Sequence, residues 1–414
     1  MRVLVAMLLC TTACSATPPS AGVVTPSVSG PAASGRAATA EPTADASPSA
    51  VPSPSPSGEA VNQFQITANA LGRLTGEWIF VGKRAPGHFI YAAENQIWAI
   101  PLAGGVPRLA LAYEIPTAGI PEAVFDNAPY LRRQFSPDGT RIVIGGIVVD
   151  LVTGQKTALP GMGKFPAWSK DGSRIAFFYE LPFAGFVPPD YGVGVMPAAG
   201  GPVTYLASVG YRVGSLEWSP DGSMLIVSQP DGITIVDATS GKVVRHFADF
   251  ASYGASFAHW RVATPQIAVA SGNCDGTTKT KLTSFGDVTS PGETVVDTGQ
   301  SCPALSVRDP RWNPAVATEL LYVSTRANAG AMPHEYRVHL VDIASARDTT
   351  LPLSAYEATW TWDGSAIAYV AYSGPEHGWY GDSIRVWRRD GSGEHVLLKA
   401  AENESFFSIA SLSY

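Results

Sequence analysis

The residues able to do chemistry in this 414-residue chain are four cysteines and seven histidines, and their spacing excludes most of what such residues can do. Cys10 lies in an apolar N-terminal run, Cys14 follows Thr11-Thr12-Ala13, and Cys274 and Cys302 stand far apart. The Cys-x-x-Cys spacing of a zinc or redox centre is missing. His334-Glu335 opens like a zincin helix, but position 338 is Val and His339 comes one residue too late. The chain has no Gly-x-Ser-x-Gly elbow and no phosphate loop. Gly192-Val193-Gly194 opens a strand and precedes no helix, so it is no dinucleotide fingerprint. The expectation is therefore no catalytic set, no metal site and no cofactor.

The elements that would position any site are short strands. Leu216 to Phe247 reads as four in a row: LEW and MLIVS joined by Ser219-Pro220-Asp221-Gly222, then ITIVD and VVRHF joined by Ala238-Thr239-Ser240-Gly241. Pro presets φ for a type I turn, Asp binds nearby backbone N–H groups, and Gly accepts the positive φ that closes the hairpin. The Asp-Gly turn recurs at Asp138-Gly139, Asp171-Gly172 and Asp363-Gly364, beside Asp221-Gly222, each time after an aromatic residue and before an apolar strand. Further units keep the strand without the turn: 78–82, 266–271 and 320–325. One four-stranded unit cannot cover both its faces, so repeats at roughly 40–50 residues point to propeller blades. The expected fold is all-β, a seven-bladed β-propeller, with six or eight blades as the alternative counts.

The pattern Trp-Ser-Pro-Asp-Gly, apolar strand, then a hairpin ending in Asp-x-x-x-Gly resembles the TolB-like, WD-repeat-like β-propeller repeat. The resemblance covers about Trp78 to the C-terminus. Two units depart from it: Trp260-Arg261-Val262-Ala263 and Trp312-Asn313-Pro314-Ala315 keep the aromatic and lose Asp-Gly. TolB itself has six blades, so the resemblance implies the architecture and leaves the task open. In dipeptidyl-peptidase relatives a propeller precedes a hydrolase domain; here the sequence ends at Tyr414 after the last unit, so no such domain is expected.

The N-terminus divides the chain. Met1-Arg2 and the apolar run after it have signal-peptide character. Cys14 after small residues resembles the lipobox of bacterial lipoproteins, which implies cleavage before Cys14 and attachment of a diacylglyceryl group; an ordinary secretory signal or a retained apolar start are the alternatives. Residues 14–62 are rich in Ala, Ser, Thr and Pro, too poor in apolar surface to offset the entropy of ordering, and read as a disordered tether. Three segments result: signal peptide 1–13, tether 14–62 and propeller 63–414. In an exported domain disulfides persist. Cys274 lies between the second and third strands of the fifth unit and Cys302 follows its fourth, on one face of a blade, so a bridge is expected, with two free thiols as the alternative. It would close about 28 residues and contribute roughly 3 kcal/mol. The formal net charge of −7 argues against nucleic acid as a partner.

These readings describe an extracytoplasmic β-propeller of the bacterial cell envelope, a monomer anchored to the membrane by lipid, binding a protein, peptide or envelope glycan. The alternative is a propeller lyase or hydrolase with its site in the central funnel, which requires His with carboxylate or Arg near the axis and perturbed pKa values. Two structural expectations follow. The C-terminal segment, about Ser408–Leu412, should pair beside Trp78–Val81 and close the ring. The long second-to-third and interblade loops should form the binding face, carrying Phe183, Phe186, Tyr191, His334, Tyr336, His377, Trp379 and Tyr380. The tight turns on the opposite face, Asp138-Gly139 and its equivalents, are read as structural.

Overall fold

The computed structural model describes residues 65–74, 77–84, 95–114, 131–159, 163–181, 190–210, 214–229, 232–247, 257–261, 264–271, 279–301, 306–328, 331–372, 381–401 and 404–411. They form seven antiparallel sheets, the blades of a β-propeller. Blades 3 to 7 have four strands each, with first strands Lys164–Trp168, Leu216–Trp218, Phe257–Trp260, Ser306–Trp312 and Ala355–Trp360. These first strands are innermost. Around the hub Ser405–Ser411 touches the short helix Leu131–Gln134, the helix touches Lys164–Trp168, and so on through the blades back to Ser405–Ser411.

Ring closure occurs where the sequence places it. Ser405–Ser411 pairs antiparallel with Trp78–Arg84, with Ile79 opposite Ser411, Val81 opposite Ile409 and Arg84 opposite Ser405. The N-terminal strand therefore shares its blade with the C-terminal one. The apolar residues of this strand explain why it seats: Phe406, Phe407, Ile409 and Ala410 are all buried, packed among residues of blades 7, 1 and 2. Gly82 allows the approach of Phe407, whose ring a Cβ there would strike.

Blades 1 and 2 depart from the repeat. Blade 1 gains an unforeseen outer strand, Gln65–Ala68, paired with Arg108–Glu114. Blade 2 has three strands, and its innermost strand is replaced by Leu131–Gln134 and a single bridge from Phe135 to Ile142. Its Gly145-Gly146 link, with φ of 54° and 79°, is a two-residue hairpin turn, so one of the second-to-third connections is short. A further correction concerns the stretch with His334 and Tyr336, expected in a loop between the second and third strands. The strands Glu319–Asn328 and Ala331–Asp342 run on as a ribbon, with Thr325 opposite Tyr336 and Arg326 opposite Glu335.

The Asp-Gly turns share one set of hydrogen bonds. The Ser136 and Ser219 hydroxyls each donate to the turn aspartate at 2.6 Å, Asp138 and Asp221 respectively. The same hydroxyl accepts the N–H that starts the next strand, Arg141 and Met224, at 2.9 Å. Ser169 and Thr361 do the same with Asp171 and Asp363. Gly139, Gly172, Gly222 and Gly364 take φ between 65° and 70°, the left-handed region a Cβ would strain. In blade 6, which lacks Asp-Gly, the Asn313 side chain accepts from the N–H groups of Ala315 and Val316 and substitutes for the missing aspartate.

Candidate functional site

One column of the repeat builds the hub. The innermost strands of blades 3 to 7 end in Trp168, Trp218, Trp260, Trp312 and Trp360. Four of these indoles donate Nε1–H to the carbonyl of the residue just before the aromatic in the preceding blade. Trp168 donates to Gln134 at 2.8 Å, Trp218 to Ala167 at 2.9 Å, Trp312 to His259 at 3.2 Å and Trp360 to Arg311 at 3.1 Å. Arginines from the preceding blade add cation–π contacts, Arg141 over Trp168 at 4.7 Å and Arg174 over Trp218 at 4.5 Å. The tryptophans are blade-to-blade latches. The carbonyls of Ala167, His259 and Arg311, each just before a tryptophan, are used in this way, while the side chains at that position line the hub.

Those side chains differ from blade to blade, and here the chemistry collects. Glu217 of blade 4 meets His259 of blade 5: His259 Nδ1 donates to Glu217 Oε1, which also accepts the Trp260 N–H at 3.0 Å. Arg133 of the short helix donates to Glu217 Oε2 at 2.8 Å, and Arg132 stands 3.9 Å from Oε1. With Nδ1–H committed to Glu217, His259 Nε2 is the acceptor left for Arg132, which lies 3.3 Å away. Burial would raise the Glu217 carboxyl, but His259, Arg133 and Arg132 outweigh it and hold it well below the usual carboxylate range. Burial, with Arg132 beside it, holds His259 down at about 4 against the pull of Glu217. At neutral pH the pair is thus a carboxylate and a neutral imidazole.

A second hub cluster lies on blades 6 and 7. Arg311 pairs with Asp309 at 2.7 Å and stands 3.9 Å from Glu357, whose Oε2 accepts the Ile409 N–H of the closing strand at 3.3 Å. Asp309 reaches Arg311 from a bulge: its φ is 55°, and the ladder shifts register between Arg308 and Arg311. Phe165, three residues before Trp168 as Asp309 is before Trp312, repeats the device with φ 53°.

The first cluster opens to a pocket on the turn side of the ring. It has a cavity volume of about 80 Å³, walled by Trp168, Trp218, Trp260 and Trp312, with Pro220 and Pro314 of the first-to-second turns also on its lining. Among the described residues, Arg132, Arg133, Lys170 and Arg261 line it together with the carboxylate of Glu217. Burial and the charge of Arg132 lower the pKa of Lys170.

A larger cavity, about 310 Å³, lies between blades 5 and 6 and contains Ser324, His339 and Asp348. Ser324 Oγ is 2.9 Å from His339 Nε2, and His339 Nδ1 is 3.2 Å from Asp348 Oδ1, the order of a hydrolytic triad. The strand carrying Ser324 is paired on both sides, so its backbone N–H groups serve ladders rather than an oxyanion. Tyr322 stacks on the His339 ring with centroids 4.4 Å apart and donates its hydroxyl to Asp348 at 2.7 Å. The group reads as a polar clasp across three strands. Sequence reasoning missed it because cross-strand neighbours are set by register.

Of the residues assigned to the loop face, Tyr191 and Tyr336 are buried. Tyr191 sits at the start of its strand beside Lys164, and Tyr336 packs edge-on against Tyr356 and Tyr372. Their period-2 position inside strands turns both rings into the core. Phe183, Phe186, His377, Trp379 and Tyr380 lie outside the described residues, as do the side chain of His334 and Cys14, Cys274 and Cys302. Among the described residues no group of His, Cys, Asp and Glu is placed to hold a metal ion, and no helix is long and apolar enough to cross a membrane.

Residues 205–263 match the family model of the anaphase-promoting complex subunit 4 WD40 domain. No curated protein matches the chain. Among solved structures it is similar to TolB from Acinetobacter baumannii, with 13% identity, TM-score 0.43 and coverage of 84% of this chain and 83% of that one. Kuenenia stuttgartiensis hydrazine synthase shares 15% identity, TM-score 0.45, over 62% of this chain and 75% of that one. The β-propeller domain of the Trilobed protease from Pyrococcus furiosus shares 11%, TM-score 0.44, over 79% and 85%. At these identities the likeness is one of fold. The chain is an all-β propeller of seven blades.

Proposed function

We propose that this protein is an extracytoplasmic binding module, anchored through a lipid on Cys14 and the 14–62 tether, that captures a protein or peptide at the hub mouth on the turn side of the ring. The observation that carries this reading is the pocket itself. Five blades line one small opening, four of them with polar side chains, and a rigid wall of indoles surrounds these. A funnel enzyme would need the same location, but Glu217 and His259 are spent on each other and on Arg132 and Arg133. Held near 4, His259 has no proton to give at neutral pH, and its second nitrogen faces a guanidinium. Such a pair orients cations better than it transfers protons. The lipobox-like Cys14 and the Pro/Ser-rich tether support the envelope location, which the N-terminal sequence alone suggests.

The test is photo-crosslinking in the source cells, with p-benzoylphenylalanine placed singly at Pro220 on the mouth or at Trp379, which the sequence assigns to the loop face. A discrete adduct from position 220 and none from 379 is the expected result. The reverse pattern would move the site to the loop face, and Trp379 and Tyr380 would then carry it.

A further inference from the structure

We propose that the cleft between blades 5 and 6 is a second site, separate from the hub mouth, that holds one neutral pyranose ring of a sugar. Among the described residues it shares no lining side chain with the mouth.

The seam between these blades begins as the repeat requires. Near the hub, Leu320, Tyr322 and Val341 of blade 6 pack with Ala268, Ala270 and Leu282 of blade 5. Farther along the same face of blade 6 the side chains turn polar. Ser324 and Arg326 follow on the second strand, Arg337 and Glu335 on the third, Asp348 and Thr350 on the fourth, and all six line the cavity. Blade 7 shows that the fold does not ask for this. Its Trp360 pairs with Ile367 as Trp312 pairs with Leu320, so Ala371 matches Ser324, and Ala371 is buried in a core cluster with Ile367 and Tyr369. The polar run forgoes apolar burial that the neighbouring seam gains.

The ribbon is the second feature. Glu319–Asn328 and Ala331–Asp342 have 10 and 12 residues, against six in each of the matching strands of blade 7. The added length carries Arg326 and, opposite it, Glu335, both exposed and both on the cavity lining. Asp297 lines the cavity from the outermost strand of blade 5.

The chemistry follows from size and lining. A volume of about 310 Å³ stands at the foot of the roughly 300–1,000 Å³ range of small-molecule sites, room for one sugar ring with its hydroxyls. Each sugar hydroxyl both donates and accepts. The lining offers both kinds of partner, the guanidiniums of Arg326 and Arg337 beside the carboxylates of Asp297, Glu335 and Asp348. The same mixture disfavours a free ion, since an anion meets the carboxylates and a cation meets the guanidiniums. The deep wall is Tyr322, 2% exposed, with the His339 ring stacked on it at 4.4 Å, a flat surface suited to the C–H face of a pyranose. Several of these groups are set before a ligand arrives. Arg337 Nε donates to Glu335 at 2.8 Å, and the Tyr322 hydroxyl donates to Asp348 at 2.7 Å.

Saturation-transfer NMR and titration calorimetry on the whole chain test this with the methyl glycosides of glucose, galactose, mannose and N-acetylglucosamine. At least one should bind. The same sugar should lose binding in Thr350→Trp, which fills the cavity from an exposed position on the outermost strand. Arg326→Ala, also at an exposed position, should weaken it about tenfold, the loss of one hydrogen bond to a charged group. This second variant decides the matter should the tryptophan variant fail to fold. Sodium acetate and methylammonium chloride should not displace the sugar. A disaccharide ending in the bound sugar separates two sources: retained binding assigns the end of a glycan, and lost binding assigns a free monosaccharide. Failure of all four glycosides to bind, affinity unchanged in the folded variants, or displacement by either ion would overturn the proposal.

Discussion

Glu217 and Glu357 are both buried on innermost strands of the ring, 7% and 5% exposed, yet their acidities diverge. Glu217 has Arg133 at 2.8 Å, Arg132 at 3.9 Å and a bonded imidazole, and its pKa is held below the carboxylate range. Glu357 is pushed up to about 8 by burial and by Asp309, with Arg311 pulling the other way from 3.9 Å. Burial is common to both, so the partners decide. Asp309 takes the closer claim on Arg311 because its left-handed backbone swings it there, and Glu357 is left holding a proton. A local bulge thereby sets the charge of a side chain on the neighbouring blade.

The largest expected effect comes from removing the closing strand, which bonds Glu357 directly and packs against the helix of the other cluster. Truncation before Ser405 takes away the Ile409 N–H that Glu357 accepts and uncovers the faces under Phe406, Phe407 and Ile409. At about 1.5–3 kcal/mol for each large side chain, the loss approaches the whole stability of an ordinary domain. The truncated chain should show no cooperative melt by circular dichroism at the temperature where the full chain is folded. An unchanged melting temperature would mean the closing strand contributes nothing.

This strand was legible in the sequence, as were the seven units and the Asp-Gly turns, because each rests on local chemistry: period-2 apolar strands and turn residues at fixed offsets. The two glutamate clusters were not legible unit by unit. Glu217, His259, Arg311 and Glu357 come from four blades, and nothing local in Leu-Glu-Trp or Ala-His-Trp distinguishes a hub residue from a surface one. The signal exists only across the repeats. Stacking the units on their aromatics gives Gln134, Ala167, Glu217, His259, Arg311 and Thr359 as one column just before the aromatic, richer in ionisable groups than a strand interior allows without mutual pairing. The helix Leu131–Gln134, which supplies the arginines, breaks the repeat and so escaped a search for copies. The clasp of Ser324, His339 and Asp348 escaped because strand register, not spacing, brings it together.

The next effect sharpens the contrast between the glutamates. Glu217→Gln removes the charge that Arg133 and Arg132 face, and breaking a buried ion pair from one side typically costs about 3–5 kcal/mol. Glu357→Gln replaces a side chain already protonated at neutral pH with a neutral one of the same shape that can still accept from Ile409, so it should lie within about 1 kcal/mol of wild type. Urea titration at pH 7 measures both. Equal losses in the two variants would erase the distinction between the clusters.

The smallest effect is a slope, and its sign is fixed by linkage. Glu357 has a folded pKa of about 8, above its ordinary 4.5, so between those values the folded chain holds a proton that the unfolded chain has released. Its contribution to stability is fully present below 4.5 and is lost as pH rises through about 8. His259 works in reverse: with a folded pKa near 4, below its ordinary 6.5, it favours the folded state above 6.5, and that contribution is lost as pH falls toward 4. The carboxyl of Glu217, held down, adds to the loss on the acid side. The wild-type chain is therefore squeezed from both directions, by one cluster in acid and by the other in mild alkali. Glu357→Gln cannot release a proton, so it should abolish the decline between about pH 6 and 8.5 and leave the acid limb in place. Melting temperatures across that range decide it. A variant that declines with wild type above pH 6 would show that Glu357 is already ionised in the folded chain, and that Arg311 serves both carboxylates alike.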